Sequence, residues 1–363
     1  MSRYNDILMH TVVCLLALGI IMVYSASINP FAVHLSGLSV LVSQITWLFV
    51  GFLALFISSH VNHRKLLALS KLILLFSMVV VVLGYFTSIG STTARWVHVF
   101  GRSLFQTSEL AKIAIIIFTA AFIENNKRKI IDWKFMLKNY YPYLGLSVLL
   151  VFFQPDLSSS FVISLIAMSM LFVAGLDKKQ IKTIVILAFL MFAMKFLIMP
   201  FLLGESNFQN VRFLGFLSGE APQQRYAIES MSSGGILGIG LGESKWKTEW
   251  VAEPQTDFIF SVVLSELGVI GLIVLFGGFF LIFIRGMSIV KKSTDIFGMF
   301  IALGITLNLI LYFIIHVGYN IGLLPTTGLP MPFVSYGGSH TIFNLLQIGL
   351  LLSISYRMKN AKS

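Results

Sequence analysis

Residues 296–340 read IFGMFIALGITLNLILYFIIHVGYNIGLLPTTGLPMPFVSYGGSH. The stretch 296–321 contains no Asp, Glu, Lys or Arg, and about 20 consecutive apolar residues are enough to cross a bilayer. Pro325, Pro330 and Pro332 then forbid a continuous helix, although the segment stays apolar until the next run at 336–356. Irregular apolar backbone between two spans is tolerated only where it is buried against protein. Residues 322–340 therefore read as a re-entrant segment before the last helix.

The same pattern extends over the chain. Apolar segments lie near 7–27, 38–59, 66–86, 107–123, 143–154, 157–176, 181–202, 258–284, 296–321 and 336–356. The 143–154 segment is short for a span, and Gln154-Pro155-Asp156 separates it from the next. Hydrophobic residues make up 57% of the 363 positions and charged residues only 11%, with a mean hydropathy of +0.89. A water-soluble enzyme is about one-quarter charged, so that class is excluded. The expected architecture is an all-α polytopic membrane protein with ten transmembrane helices in one domain, 1–363.

Charge sets the sidedness. With the N-terminus inside, the inner loops hold 17 Lys and Arg residues and the outer segments 6, which places both termini in the cytoplasm. The net charge of +11 is then explained by inner loops rather than by nucleic-acid binding. Arg3 precedes a first apolar run with no small-residue cleavage site, which reads as a retained signal anchor. The lone Cys14 excludes an internal disulfide and a thiolate metal site.

One long loop, 203–257, faces outward in this topology and carries a net charge of −3. Its apolar anchors, among them Phe208, Phe213, Tyr226, Trp246 and Trp250, argue against disorder. At its end, EWVAEPQTDFIFSVVLSELG (249–268) puts Asp257 where polar loop gives way to an apolar span. Either Thr256 or Asp257 caps that helix, or Asp257 is a general base at the membrane surface beside Glu253. Glu266, nine residues on, falls about 13 Å deeper and on nearly the opposite face, which suits a structural hydrogen bond.

Other polar groups gather at predicted outer ends. Arg95 and Trp96 precede the fourth span, and Arg95 could hold a phosphate or a lipid headgroup. Glu109 and Lys112, three residues apart, can neutralise each other or line a cavity. Asp156, after Pro155, can cap the following helix. GGILGIGLG (234–242) lacks the Walker pattern and suits close packing or a tight turn. Ser335 and His340 have no orienting acid in the spacing, so a Ser-His enzyme is not supported.

Read in order, these motifs resemble the SEDS family of bacterial cell-wall polymerases (FtsW, RodA and SpoVE). The resemblance rests on MVYSAS (22–27), ARW (94–96), QTSELAK (106–112), QPD (154–156), SGGILGIGLG (233–242), TDFIF (256–260), ELG (266–268) and GLLPTTGLPMPFVSYGGS (322–339). The first span and 223–235 lean toward FtsW, whereas 327–333 leans toward RodA; on balance FtsW is favoured.

The resemblance implies a peptidoglycan glycosyltransferase that polymerises lipid II into β-1,4 glycan on the outer face during septal wall synthesis. Asp257 matches the family's essential aspartate. Arg95, Glu109, Lys112, Asp156, Lys245, Glu253 and Ser335 are the candidate substrate contacts, with Pro155, Glu266, Pro325 and Gly337 as structural positions. It further implies Mg²⁺ or Mn²⁺ with no organic cofactor, a single-span class B penicillin-binding transpeptidase partner, and other divisome membrane proteins. The alternatives are a RodA-like elongation polymerase, a lipid II flippase and a non-catalytic scaffold. Three positions depart from the family's usual motifs: Thr107 replaces a proline, Gln255 a histidine and Ser158 a glycine.

Overall fold

The computed structural model describes residues 3–28, 37–87, 95–99, 102–154, 156–193, 215–219, 221–244 and 253–360. Helices α1 (Arg3–Ser27), α2 (Gly37–His60) and α3 (His63–Thr87) lead into a hairpin of β1 (Trp96–Val99) and β2 (Arg102–Gln106). Next come α4 (Thr107–Asn126), α5 (Trp133–Asn139), α6 (Tyr141–Phe153), α7 (Leu157–Val173) and α8 (Lys178–Ala193). The chain continues through α9 (Pro222–Ser233), α10 (Ile259–Lys292), α11 (Ile296–Asn320) and α12 (Gly338–Asn360).

Each apolar segment read from the sequence contains a helix. Among the described residues six helices, α1, α2, α3, α10, α11 and α12, are long and apolar enough to span a bilayer. The protein is an α-helical polytopic membrane protein. Helix α6, with 13 residues, is about 20 Å long and falls short of a hydrocarbon core about 30 Å thick. The β-hairpin is an addition to the all-α expectation. Its strands pair antiparallel from Trp96↔Gln106 to Val99↔Arg102, with a register shift after Val97.

Helices α4 and α11 form the centre. Nearly every side chain of α4 from Thr107 to Ile123 is buried, as are most of those on α11. Small residues permit this density: a Cβ at Gly304 would fall 2.6 Å from Ile116 and 2.9 Å from Met170. Exposed apolar side chains sit on the perimeter, as on α2 (Phe49, Phe56) and α10 (Ile273, Phe280), where lipid replaces water as the neighbour.

The two ends of the bundle are tied separately. At the basic end, Asp295 caps α11 by accepting from Gly298 N–H (2.8 Å) and meets His63 Nε2 at 3.2 Å and Arg64 Nε at 3.3 Å. Arg64 also reaches Glu124 at 2.9 Å, and Ser353 donates to Val61 O at 2.6 Å. Burial alone would raise the Asp295 pKa, but the His63 bond, the Gly298 N–H and the nearby Arg64 together hold the carboxyl below its usual range.

Helix α10 is broken at Gly268, whose φ of 59° and ψ of −143° lie outside the helical region. The break frees carbonyls, and the glycine-rich segment after α9 supplies their donors. Ile239 N–H reaches Ser265 O (3.0 Å) and Gly240 N–H reaches Glu266 O (3.2 Å), while Val269 N–H donates back to Ile236 O (3.0 Å). Such close backbone approach leaves no room for a side chain: a Cβ at Gly268 would lie 2.5 Å from both Gly238 N and Ile236 O. Gly268→Ala should therefore cost roughly 1–3 kcal/mol, read as a lowered melting temperature in detergent. Gly277→Ala, whose Cβ meets nothing within 4 Å, should melt like the parent. Equal melting of the two variants would dismiss the kink as a constraint.

Candidate functional site

The turn ahead of α10 presents Asp257. Glu253, at φ 50°, opens it, and its carbonyl accepts from Thr256 N–H (3.0 Å) and Asp257 N–H (3.1 Å). Phe258 occupies the N-cap position of α10, and no side chain caps the helix there. The N-cap residue is thus neither Thr256 nor Asp257.

Three successive carbonyls hold this turn in place. Gln255 O accepts from Tyr336 N–H (2.9 Å), and Thr256 O from Ser335 Oγ (2.8 Å). Asp257 O accepts from Tyr319 OH (2.6 Å) and Asn320 Nδ2 (3.2 Å). Tyr319 has one phenolic proton and gives it to this short bond, while His316 Nδ1 serves Leu329 O at 2.8 Å. Each of these bonds grips a backbone carbonyl, which fixes where the half-buried Asp257 side chain starts.

Ser335 is 1% exposed and also accepts from Met331 N–H at 2.8 Å. Both bonds go to backbone, so its hydroxyl works as a strut between the broken segment and the Asp257 turn. A ligand cannot reach it in this conformation. Gly337 N–H contacts Gln44 Oε1 at 3.4 Å. Pro325 lies in the same irregular stretch, whose Leu324 O is tied to α9 by Gln224 Nε2 at 2.8 Å.

A second cluster surrounds Asp156, which is 3% exposed. Its Oδ1 caps α7 at Ser159 N–H (3.2 Å), and its Oδ2 accepts from Gln106 Nε2 and Ser108 Oγ, both at 3.0 Å. Thr107 N–H donates to Arg95 O (3.1 Å), which anchors the hairpin, and Thr107 Oγ1 donates to Gln154 Oε1 (2.7 Å). Ser158 Oγ reaches Thr327 O at 3.1 Å, and Gln106 N–H reaches Ser339 Oγ at 3.2 Å. The broken segment 322–340 therefore bonds to both the Asp257 turn and the Asp156 cluster.

Beneath this lies a sealed ion network. Lys112 Nζ bonds Glu109 Oε1 at 2.8 Å and also the Tyr312 hydroxyl, and His340 Nδ1 meets the same Glu109 oxygen at 3.2 Å. Tyr312 and His340 stack at 5.4 Å. Glu109 and Lys112 are each 1% exposed, so in this conformation they brace α4, α11 and α12 from inside.

Of the residues singled out from sequence, Asp257, Ser335, Asp156, Glu109, Lys112 and the Arg95 backbone fall into this connected region. Glu253 is exposed at its edge. Glu266 lies apart, buried at the α10 break, where it accepts from Ser25 Oγ of α1 at 2.5 Å. Lys245 and Pro155 fall outside the described residues. Sequence reading passed over Asn308, Tyr312, His316 and Asn320. Their regular four-residue spacing in an apolar span marks one polar face of α11, and that signal was available.

A divalent ion can be tested against the donors. Among the described residues no group of three His, Cys, Asp or Glu side chains could hold a metal. Among the described residues the region offers no protein cage. Asp257 and Glu253 share one turn, and a Mg²⁺ ion held by one or two carboxylates would bring its own waters and phosphate oxygens.

The described residues form a helical membrane bundle, with the Asp257 turn and the Asp156 cluster tied together at one end and His63, Arg64 and Asp295 tied at the other. The chain belongs to the cell cycle protein family of FtsW, RodA and SpoVE, whose model matches residues 6–360. It is 34% identical over 371 residues to the probable peptidoglycan glycosyltransferase FtsW of Geobacter metallireducens, covering 99% of this chain and 96% of that protein. It is 31% identical over 364 residues to the stage V sporulation protein E of Bacillus subtilis, covering 94% of each. In fold it is similar to a chain of a solved peptidoglycan synthase complex (TM-score 0.81, 23% identity, 99% of both chains). The rod shape determining protein RodA of Thermus thermophilus is also similar (TM-score 0.70, 23% identity, 96% of this chain and 95% of that one).

Proposed function

We propose that this chain, a peptidoglycan glycosyltransferase of the FtsW/RodA type by its family, extends glycan from lipid II with Asp257 as the general base. The observation that carries the reading is the Asp257 turn. Three backbone carbonyls of residues 255–257 are clamped by Tyr336, Ser335, Tyr319 and Asn320, which fixes the origin of the half-buried Asp257 side chain. A base must be held within hydrogen-bond reach of the proton it takes, and a rigid turn supplies that placement.

In this mechanism the Asp257 carboxylate accepts the proton of the acceptor sugar's 4-hydroxyl. The alkoxide oxygen attacks the anomeric carbon of the donor as the bond to diphosphate breaks. Inversion at that carbon converts an α-linked donor into a β-1,4 linkage with no covalent enzyme intermediate. Developing charge on the diphosphate calls for positive charge at the cleft, and Arg95 on the hairpin and Lys245 in the long loop are the proposed contacts. Lys112, enclosed with Glu109, contributes by bracing α4, α11 and α12.

The proposed topology has ten crossings, both termini in the cytoplasm, 203–257 outside and 322–340 re-entrant. Supporting it, residues that this topology assigns to one side also bond to each other: Gln106 with Asp156 and Thr256 with Ser335 at one end, Arg64 with Glu124 and Asp295 at the other. In a Cys14-free background, cysteine at exposed Leu237 should label from outside intact cells, and cysteine at exposed Lys127 only after permeabilisation. The opposite pattern would invert the sidedness. The proposed partner is a single-span transpeptidase, which crosslinks the strand, in a septal assembly with other division proteins.

The activity is tested with purified protein and labelled lipid II. A ladder of glycan strands that a muramidase digests is expected. Movement of lipid II between leaflets with no glycan would replace the polymerase by a flippase.

A further inference from the structure

We infer that the basic end of the bundle carries a binding pocket for the phosphate headgroup of an anionic glycerophospholipid. A cavity of about 240 Å³ opens there between α3, α4, α5 and α6. It is smaller than the roughly 300–1,000 Å³ of pockets that enclose drug-sized ligands, and a headgroup rather than a whole lipid matches it. Its cations are Lys71 of α3 and Lys138 of α5, and no acidic side chain lines it. Nearby acids are engaged elsewhere: Glu124 with Arg64, and Asp132 with the N–H groups that open α5.

Lys71 lies eight residues into its helix, about 12 Å along the axis. Its exposed side chain has no ion pair among the described residues and sits 5.1 Å from the Tyr143 ring centroid, so an anion beside it would supply the missing countercharge. Phe118, Phe122 and Phe135 complete the aromatic wall. Asn126 and Asn139 each give Nδ2 to a carbonyl one helical turn back, at 3.1 and 2.9 Å. Each keeps an Oδ1 that can accept from a headgroup hydroxyl.

The neighbouring surface favours a lipid over free phosphate. One turn deeper on the same faces stand Leu75 (i+4 from Lys71) and Leu146 (i+3 from Tyr143), 42% and 50% exposed. Acyl chains would lie against them while the phosphate meets the lysines. Basic pockets between membrane helices on the cytoplasmic side commonly hold anionic headgroups in this way.

The test is native mass spectrometry of the delipidated full chain, titrated with dioleoyl-phosphatidylglycerol, dioleoyl-phosphatidylcholine or inorganic phosphate. One phosphatidylglycerol should bind in preference to phosphatidylcholine. Lys71→Gln/Lys138→Gln should weaken it roughly 30-fold, the combined effect of two interfacial cations. Lys71→Arg/Lys138→Arg should keep most of the affinity, and Lys179→Gln/Lys182→Gln on the same end should stay within about twofold of wild type. Undiminished binding by the folded glutamine variant, or equal binding of the two lipids, would overturn the site. Inorganic phosphate binding as tightly as phosphatidylglycerol would overturn its assignment to a lipid.

Discussion

Asp257→Asn should lower glycan synthesis by about 10²–10⁴, the usual contribution of a positioned proton acceptor, while the protein inserts and melts like wild type. Asparagine keeps the size and hydrogen-bonding capacity of the side chain but cannot take the hydroxyl proton. The turn should survive because Tyr319 and Asn320 hold the backbone carbonyl of residue 257, and the N-cap residue of α10 is Phe258. Had the carboxylate been a helix cap, its loss would cost roughly 0.5–2 kcal/mol and spare the chemical step. Turnover and melting, measured on one preparation, separate these outcomes. A stability loss with unchanged turnover would return Asp257 to the cap.

Lys112→Met should be the most damaging buried change. It leaves the Glu109 carboxylate, 1% exposed, with only His340 against it. Breaking a buried ion pair by removing one partner typically costs about 3–5 kcal/mol, because an uncompensated charge remains. The double variant Lys112→Met/Glu109→Gln removes that charge and should recover much of the loss. Thermal unfolding in detergent gives the comparison, and a double variant no more stable than Lys112→Met alone would deny that the pair is the brace described.

Much of this architecture was legible because lipid imposes a simple rule. Long charge-free runs such as 296–321 must be helical to satisfy their own backbone, and the helices fall where those runs lie. Other features depend on packing that no local pattern announces. The break at Gly268 is stabilised by residues 236–240, some thirty positions earlier in the chain, so ELG looked like ordinary helix. The hairpin rests on the brief alternation of Val97, His98 and Val99, too short to outweigh an all-α reading.

At the site, Asp257 was legible as a carboxylate at a loop-to-span boundary, but its clamps come from α11 and from 335–336. The departures from the family's motifs gained a physical reading. Thr107, where a proline is usual, donates its N–H to Arg95 O, a bond that proline could not make. Ser158, where glycine is usual, ties α7 to Thr327 through its hydroxyl. Ser335 suggested a ligand contact from its type alone, and only the fold shows both of its bonds committed to backbone.

The measurement that bears most directly on the whole scheme is polymerisation in sided proteoliposomes. Labelled lipid II is confined to the leaflet on the side of the Asp257 turn, with no other glycosyltransferase present and the transpeptidase partner supplied. Wild-type protein should convert it into long β-1,4 glycan on that same side, and Asp257→Asn, equally inserted, should leave it as monomer. Near-normal glycan from the inserted Asp257→Asn protein would contradict the assignment of Asp257 as the base.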